Sequence, residues 1–105
     1  MERRRAGRVE TNLNARWEGI LASRTGNIVD LSWNGCFVLT ADEVILGELI
    51  RIEIEFPEKG RIYLWGEVVY KNPEIGFGLR FTGSGEAEES VLRDYVQAKR
   101  AHQAA

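Results

Sequence analysis

Four arginines stand among the first eight residues of the chain, at Arg3, Arg4, Arg5 and Arg8. Guanidinium groups bind phosphates and the O6/N7 edge of guanine through paired hydrogen bonds, and they also stack on a purine face. The spacing of Arg4 and Arg8 lets two such groups address two places on one small anion. The alternative interpretation is a solvated basic tail with no specific ligand.

A second candidate stretch is "DLSWNG", which runs from Asp30 to Gly35. On a strand, Asp30 and Ser32 would share a face, where a carboxylate can accept the N1–H and amino protons of guanine and a hydroxyl can add a contact. Gly35 would let the backbone bend or a ligand approach closely. The alternative is a tight hairpin turn, because Asn34 and Gly35 both tolerate positive φ and the Asp30 and Ser32 side chains can cap a turn.

Residues that carry other kinds of chemistry are scarce. Cys36 is the only cysteine and His102, near the end of the chain, is the only histidine. These counts exclude an intrachain disulfide and a cysteine-rich zinc site, and a single thiol suits a reducing compartment. The sequence also lacks a glycine-rich phosphate loop and a nucleophile motif. We therefore expect neither an enzyme nor a protein with a metal or another cofactor.

The charge of the chain is unevenly distributed. The 105 residues carry a formal net charge of −2. Residues 1–10 contribute +2, which leaves −4 for the remainder. General nucleic-acid binding needs a basic face, which this acidic body does not offer. No apolar run approaches the roughly 18 residues of a membrane span, and the N-terminus lacks the apolar stretch of a signal peptide. We expect a cytoplasmic protein.

Apolar residues at every second position predict strands with one buried face. The alternation is clearest in "GELIRIEIEF" and recurs in "LNARW", "RIYLWGEVVY" and "IGFGLRF", while "NIVDLS" and "CFVLT" are shorter strand candidates. Glycine, proline and asparagine turn signals separate these segments. The residues predicted to face inward in the four clear strands are Leu13, Ala15, Trp17, Ile50, Ile52, Ile54, Phe56, Ile62, Leu64, Val68, Tyr70, Phe77, Leu79 and Phe81.

Six short strands at this spacing favour an all-β fold, a six-stranded antiparallel β-barrel whose closure removes exposed sheet edges. Residues 84–103 then predict a C-terminal helix, with acids early, bases late and an apolar stripe that packs on the barrel. We expect a single domain over residues 1–105, divided into a flexible arginine-rich arm (1–10), the barrel (11–82) and this helix. Whether the stripe also packs on a second copy, as in a homodimer, is left open.

The two candidate stretches and the strand pattern together resemble the PilZ domain family over essentially the whole chain. Arg4 and Arg8 match the family's RxxxR element. Asp30, Ser32 and Gly35 match its DxSxxG element, and a strand runs between the two. The late "GFGLRF" strand followed by a helix is also similar to the family.

The resemblance implies a six-stranded barrel that binds the bacterial second messenger cyclic di-GMP. It implies that Arg4 and Arg8 hold guanine edges and phosphate, that Asp30 binds the donor edge of guanine, that Ser32 adds a hydrogen bond and that Gly35 permits the approach. Arg5 is a further candidate for phosphate or base stacking, and Arg3 is a weaker one. Trp33, inside the turn motif, packs beside the ligand or covers the end of the barrel.

The leading hypothesis is a non-catalytic cyclic di-GMP receptor that relays ligand binding to an unidentified protein partner. A mobile arm that becomes ordered on the barrel would change the surface offered to that partner. One alternative is a PilZ-type protein-interaction module that binds no nucleotide. Another is a small barrel for single-stranded nucleic acid, which would need a charged groove with interleaved aromatic residues.

Overall fold

The computed structural model describes residues 7–104, and this part of the chain forms six strands followed by one helix. Each strand pairs antiparallel with its neighbours, and the order β1-β2-β3-β6-β5-β4 closes into a barrel. The predicted all-β barrel with a C-terminal helix is confirmed. The elements are β1 (Val9–Glu18), β2 (Ser23–Leu31), β3 (Gly35–Leu39), β4 (Leu49–Phe56), β5 (Gly60–Asn72), β6 (Gly76–Gly83) and α1 (Glu86–Ala104).

The barrel interior is filled by the apolar faces that the alternation predicts. Trp17 on β1 is fully buried, and its ring meets Phe77 of β6 edge to face, with 5.2 Å between ring centroids. Strand β4 contributes three fully buried isoleucines at every second position. Strands β1 and β4 bury one face and expose the other, whereas Gly76–Leu79 of β6 are buried on both faces.

Tyr70 is an exception, because it is half exposed where the alternation predicts burial. The pairing of β5 with β6 shifts register between Val68 and Tyr70. A bulge of this kind inserts one residue into the alternation and so reverses which face the following side chains occupy. The prediction for Tyr70 was therefore wrong, and its ring lies on the outside of the barrel.

Helix α1 packs against the barrel through the predicted stripe. Leu92 and Val96 are buried, and the Tyr95 ring meets Phe56 edge to face at 5.2 Å. The helix starts at Glu86, two residues after the predicted boundary, and β1 starts at Val9, inside the segment predicted to be the arm. The acidic first turn of the helix complements its dipole.

The end of α1 also reaches the beginning of β1. Strand β1 pairs with β4 only over Ala15–Glu18. Near the start of β1, the Gln103 side chain bonds the backbone of Glu10, where β4 offers no partner. The Gln103 Oε1 accepts from the Glu10 N–H at 3.4 Å, and the Gln103 Nε2 donates to the Glu10 carbonyl at 2.9 Å. These two bonds hold the tail of the helix beside the first described residues of the chain.

Candidate ligand-binding site

Two predicted site residues, Arg8 and Asp30, meet on the outside of the barrel. In the pairing of β1 with β2, Val9 lies opposite Leu31 and Glu10 opposite Asp30, which brings Arg8 to the end of β2. The Arg8 Nη1 donates to Asp30 Oδ1 at 2.8 Å, and the two side chains remain 33% and 39% exposed. A carboxylate offers about four lone-pair sites and a guanidinium five N–H donors, so this pair retains capacity for a ligand.

The pair lies at the side of a groove of about 890 Å³. Arg8 and Asp30 form one part of its lining, and Tyr70 and Gln103 form another. The remaining lining residues are Val9, Glu10 and Val29. The groove thus combines a cation, two carboxylates (Asp30 and Glu10), an amide and an aromatic ring, and these groups can bind the edges and the face of a nucleobase.

A second depression, of about 620 Å³, lies over β1, β2 and β4. Its lining includes Glu53 and Glu55 together with Arg16 and Arg61. The Arg61 Nε lies 3.4 Å from a Glu53 carboxylate oxygen. The Arg8 groove is the better candidate for an anionic ligand because it contains the predicted motif residues.

Ser32 has a structural role in the turn between β2 and β3. It is the residue after the end of β2 and is 8% exposed. Its hydroxyl oxygen accepts hydrogen bonds from the backbone N–H groups of Asn34 (3.1 Å) and Gly35 (3.2 Å). Its side chain therefore points into the turn and does not stand beside Asp30 on the outer face of the strand, as the alternation suggested.

Gly35 is required by close packing of backbones. Its φ lies outside the left-handed region, and so does that of Asn34, so the positive-φ hairpin expected from the Asn-Gly pair does not form. A Cβ at Gly35 would instead overlap the carbonyl oxygen of Leu79 on β6. The Phe81 N–H also donates to the Asn34 carbonyl at 2.6 Å, which ties the turn to β6.

Cys36 lies behind the Arg8–Asp30 pair, opposite Leu31 in the pairing of β2 with β3. Burial raises the pKa of its thiol, the nearby Asp30 carboxylate raises it further, and Arg8 opposes both effects. The thiol of Cys36 therefore lies buried inside the barrel, while the charged groups of Arg8 and Asp30 remain on the outer side.

The structure brings Arg8 and Asp30 together and places Ser32 and Gly35 in the adjoining turn. Arg4 and Arg5, and also Arg3, lie outside the described residues. Tyr70 and Gln103 line the groove but were not among the predicted site residues. The bulge that exposes Tyr70 leaves no signal in the sequence. For Gln103 a signal existed, because the helix was predicted to extend to residue 103 and its end could have been expected near the site.

Trp33 is exposed and lies over the far end of the turn. It lines a small depression of about 180 Å³ with Phe81, Leu92 and Arg93. Trp33 does not line the Arg8 groove. Of its two predicted roles, packing beside the ligand and covering the end of the barrel, this position favours the second.

Comparison with known proteins agrees with this fold. The family model of the PilZ domain matches residues 2–98. The chain belongs to the PilZ domain family. No protein of curated function matches the sequence.

Solved structures with the same fold include three chains of low sequence identity. The inhibitor of motility MotI/DgrA of Bacillus subtilis is 20% identical with a TM-score of 0.81, covering 97% of this chain. This PilZ domain spans 53% of that protein, or about half its length. The PilZ domain of Escherichia coli YcgR, solved with c-di-GMP, is 17% identical with a TM-score of 0.76, covering 97% of this chain and 95% of that one.

The third structure is the PilZ domain of CeSA from a cellulose-synthesizing bacterium. It is 14% identical with a TM-score of 0.70, and the match covers 89% of this chain and 97% of that one. At these identities the similarities establish the fold. Within residues 7–104, no helix has both the length and the apolar character needed to cross a membrane, and no cluster of side chains suited to a metal ion occurs.

Proposed function

We propose that this PilZ domain is a non-catalytic receptor for cyclic di-GMP. The observation that carries the proposal is the Arg8–Asp30 pair, 2.8 Å apart and partly exposed beside a groove of about 890 Å³. The two residues belong to different sequence motifs and meet only because β1 pairs with β2. Family membership and the YcgR domain solved with c-di-GMP support the same ligand.

The chemistry of the pair matches guanine. Guanine carries adjacent donors, N1–H and the 2-amino group, which a carboxylate such as that of Asp30 accepts, and O6 and N7 acceptors, to which a guanidinium such as that of Arg8 donates. Adenine has an acceptor at N1, which faces a carboxylate unfavourably. The Arg8–Asp30 pair would therefore select a guanine over an adenine base.

The phosphates of the ligand require further cations. Arg4 and Arg5, which lie outside the described residues, precede Arg8 in the sequence and are the proposed phosphate-binding groups. Guanidinium groups bind phosphates bidentately, so a short arm suffices for a dianion although the rest of the chain is acidic. Ser32 and Gly35 serve this site by fixing the turn that follows Asp30.

The proposed output is a change in the surface presented to a protein partner. Arg8 precedes β1 directly, so a ligand bound there would cover the start of this strand and change the surface around it. Elsewhere, the buried Glu48 carboxylate accepts from the Ile20 N–H (2.7 Å) and the Ile45 N–H (2.5 Å) and so joins two loops. These loops expose Ile20, Leu21 and Leu46, an apolar surface of the kind that partners bind.

The experiment is calorimetric titration of the protein with cyclic di-GMP, cyclic di-AMP and GMP at physiological salt. We expect selective binding of cyclic di-GMP. Arg8→Ala should raise Kd by about tenfold to a hundredfold, because a bidentate guanidinium–guanine contact contributes about 1–3 kcal/mol. The melting temperature should change little, since partly exposed ion pairs contribute about 0–1 kcal/mol.

Arg24→Ala is the matched control. Arg24 lies on β2, as Asp30 does, and forms an ion pair with Asp42 at 3.4 Å, but it does not line the groove, so its removal should leave binding unchanged. Absence of cyclic di-GMP binding by the wild-type protein would refute the receptor function and leave the protein-interaction module. Equal losses in both variants would show that the groove is not the site.

A further inference from the structure

Three large apolar side chains lie exposed on the outer face of β4 and β5. Leu49, Tyr63 and Trp65 are each about half exposed. Trp65 lies opposite Arg51 in the strand pairing, Leu49 precedes Arg51 by two residues, and Tyr63 precedes Trp65 by two. Residues two apart on a strand share one side of the sheet, so these side chains stand together. We call Leu49, Tyr63 and Trp65 the β4–β5 cluster.

The Trp65 ring is the least covered aromatic ring of the cluster. The Arg51 guanidinium lies 4.2 Å from the centroid of the Tyr63 ring, but within residues 7–104 no cation or second aromatic ring pairs with Trp65. Gly83 of β6 lies opposite Trp65, and a Cβ there would meet open space. Tryptophan, tyrosine and arginine dominate the binding energy at protein interfaces. The cluster and Arg51 thus have the composition of an interface centre.

The charged residues around the cluster balance one another. Each arginine lies opposite a glutamate in the strand pairing, and the set is Arg16, Arg51, Arg61 and Arg80 with Glu53, Glu18, Glu55 and Glu67. This face is therefore neutral. In contrast, the chain after residue 10 carries a net charge of −4, which is the total of −2 less the +2 of residues 1–10.

A neutral face with alternating charges suits a second copy of the same chain. Two copies of an acidic body repel each other where their acidic surfaces meet, and contact through this face avoids that repulsion. In a two-fold dimer the same patch meets itself, so arginines of one copy can pair with glutamates of the other. A strongly basic or strongly acidic protein would gain no net attraction here.

The surfaces already described do not overlap with the cluster. The apolar stripe of α1, a candidate for contact with a second copy, is buried on its own barrel through Leu92 and Val96. The lining of the groove beside Arg8 and Asp30 includes no residue of the cluster. A contact between copies at the cluster would therefore use other residues than ligand binding does.

We propose that the β4–β5 cluster is the centre of a two-fold interface between two copies of this chain, with Trp65 as its main anchor. Four strands about 4.8 Å apart, each with the eight residues of β4 at about 3.4 Å per residue, give a face of roughly 500 Å². A standard interface buries about 800 Å² on each side. The dimer is therefore reversible and depends on protein concentration.

The first test is sedimentation equilibrium of the ligand-free protein over a series from low to high micromolar concentration. We expect the wild type to pass from monomer to dimer. Trp65→Ser should raise the dimer Kd by about tenfold or more, because loss of a central anchor weakens an interface strongly. The melting temperature should stay close to that of the wild type, since the side chain is exposed.

Trp33→Ser is the matched control. Trp33 is 48% exposed and Trp65 is 47% exposed, but Trp33 lies in the turn between β2 and β3. The two variants therefore lose the same side chain at similar exposure, one outside the proposed interface and one at its centre. Trp33→Ser should dimerise as the wild type does.

The second test follows Trp65 itself and leaves its side chain intact. The chain has three tryptophans, of which Trp17 is fully buried, so Trp33→Phe leaves Trp65 as the only exposed one. As this variant is concentrated, the emission of Trp65 should move to shorter wavelength and become less accessible to quenching by acrylamide, because the indole leaves water. The midpoint of this change should agree with the dimer Kd from sedimentation.

Three results would overturn the proposal. A wild type that stays monomeric over the whole series would leave the cluster to a different protein. Dimerisation of Trp65→Ser equal to that of the wild type, with no change in Trp65 emission, would show that the copies meet elsewhere. Equal weakening in Trp33→Ser and Trp65→Ser would show a general effect of losing an exposed tryptophan. Both tests use ligand-free protein, so failure of the receptor function would not affect them.

Discussion

The turn after β2 and the Arg8–Asp30 pair adjoin each other but use their polar groups in opposite ways. In the turn, the Ser32 hydroxyl is buried and holds two backbone N–H groups. In the pair, both side chains stay partly exposed beside the groove. Within the DxSxxG motif, Ser32 therefore builds the turn, whereas Asp30 lines the groove. Substitutions can separate these two roles. Replacing a residue that holds the turn should lower the free energy of unfolding, and replacing a residue that lines the groove should weaken ligand binding.

The largest effect should come from Gly35→Ala. The added methyl group overlaps the Leu79 carbonyl, a backbone atom that cannot move without disrupting the pairing of β3 with β6. We expect a loss of about 3 kcal/mol or more in the free energy of unfolding, measured by urea denaturation. Gly83→Ala is the control, because a Cβ there meets open space. Equal stability of the two variants would show that β3 and β6 are less closely packed than described.

Ser32→Ala should have a smaller effect of the same kind. The substitution removes the acceptor of the Asn34 and Gly35 N–H groups, and Gly35 is buried. We expect the free energy of unfolding to fall by about 1–2 kcal/mol. Exposed Ser23 provides the control, and Ser23→Ala should be neutral. If Ser32→Ala abolished cyclic di-GMP binding at full stability, Ser32 would belong with the ligand-facing residues instead.

The smallest effect concerns the pH dependence of stability caused by Cys36, which is buried behind the Arg8–Asp30 pair. Burial raises the pKa of Cys36 above its ordinary value of 9.0. Above pH 9 the unfolded chain loses the thiol proton while the folded chain keeps it, so the free energy of unfolding falls as pH rises. We expect about 0.8 kcal/mol less stability at pH 9.5 than at pH 8 from this group. Cys36→Ala should flatten the profile by that amount, and an unchanged profile would contradict the burial of the thiol.

The sequence predicted the barrel well because alternation reports directly which face of a strand is buried, as in the isoleucines of β4. The sequence also singled out Arg8 and Asp30, whose chemistry is contained in the residue types and which the structure brings together, and their binding of a ligand stays a prediction. The predicted burial of Tyr70 was wrong. A bulge depends on how two strands pair, and the residue types alone do not indicate it. The prediction was incomplete at Ser32. A serine hydroxyl can bind a ligand or accept hydrogen bonds from the backbone of a turn, and the N–H groups that the fold places around it decide between the two.

The bonds between Gln103 and Glu10 have a consequence for how this domain could be joined to others. They bring the end of α1 to the beginning of β1, and both Gln103 and Arg8 line the groove of about 890 Å³. A segment attached at either end of residues 7–104 would begin beside this groove. The start of β1 and the end of α1 are therefore equally suitable points for coupling to another protein.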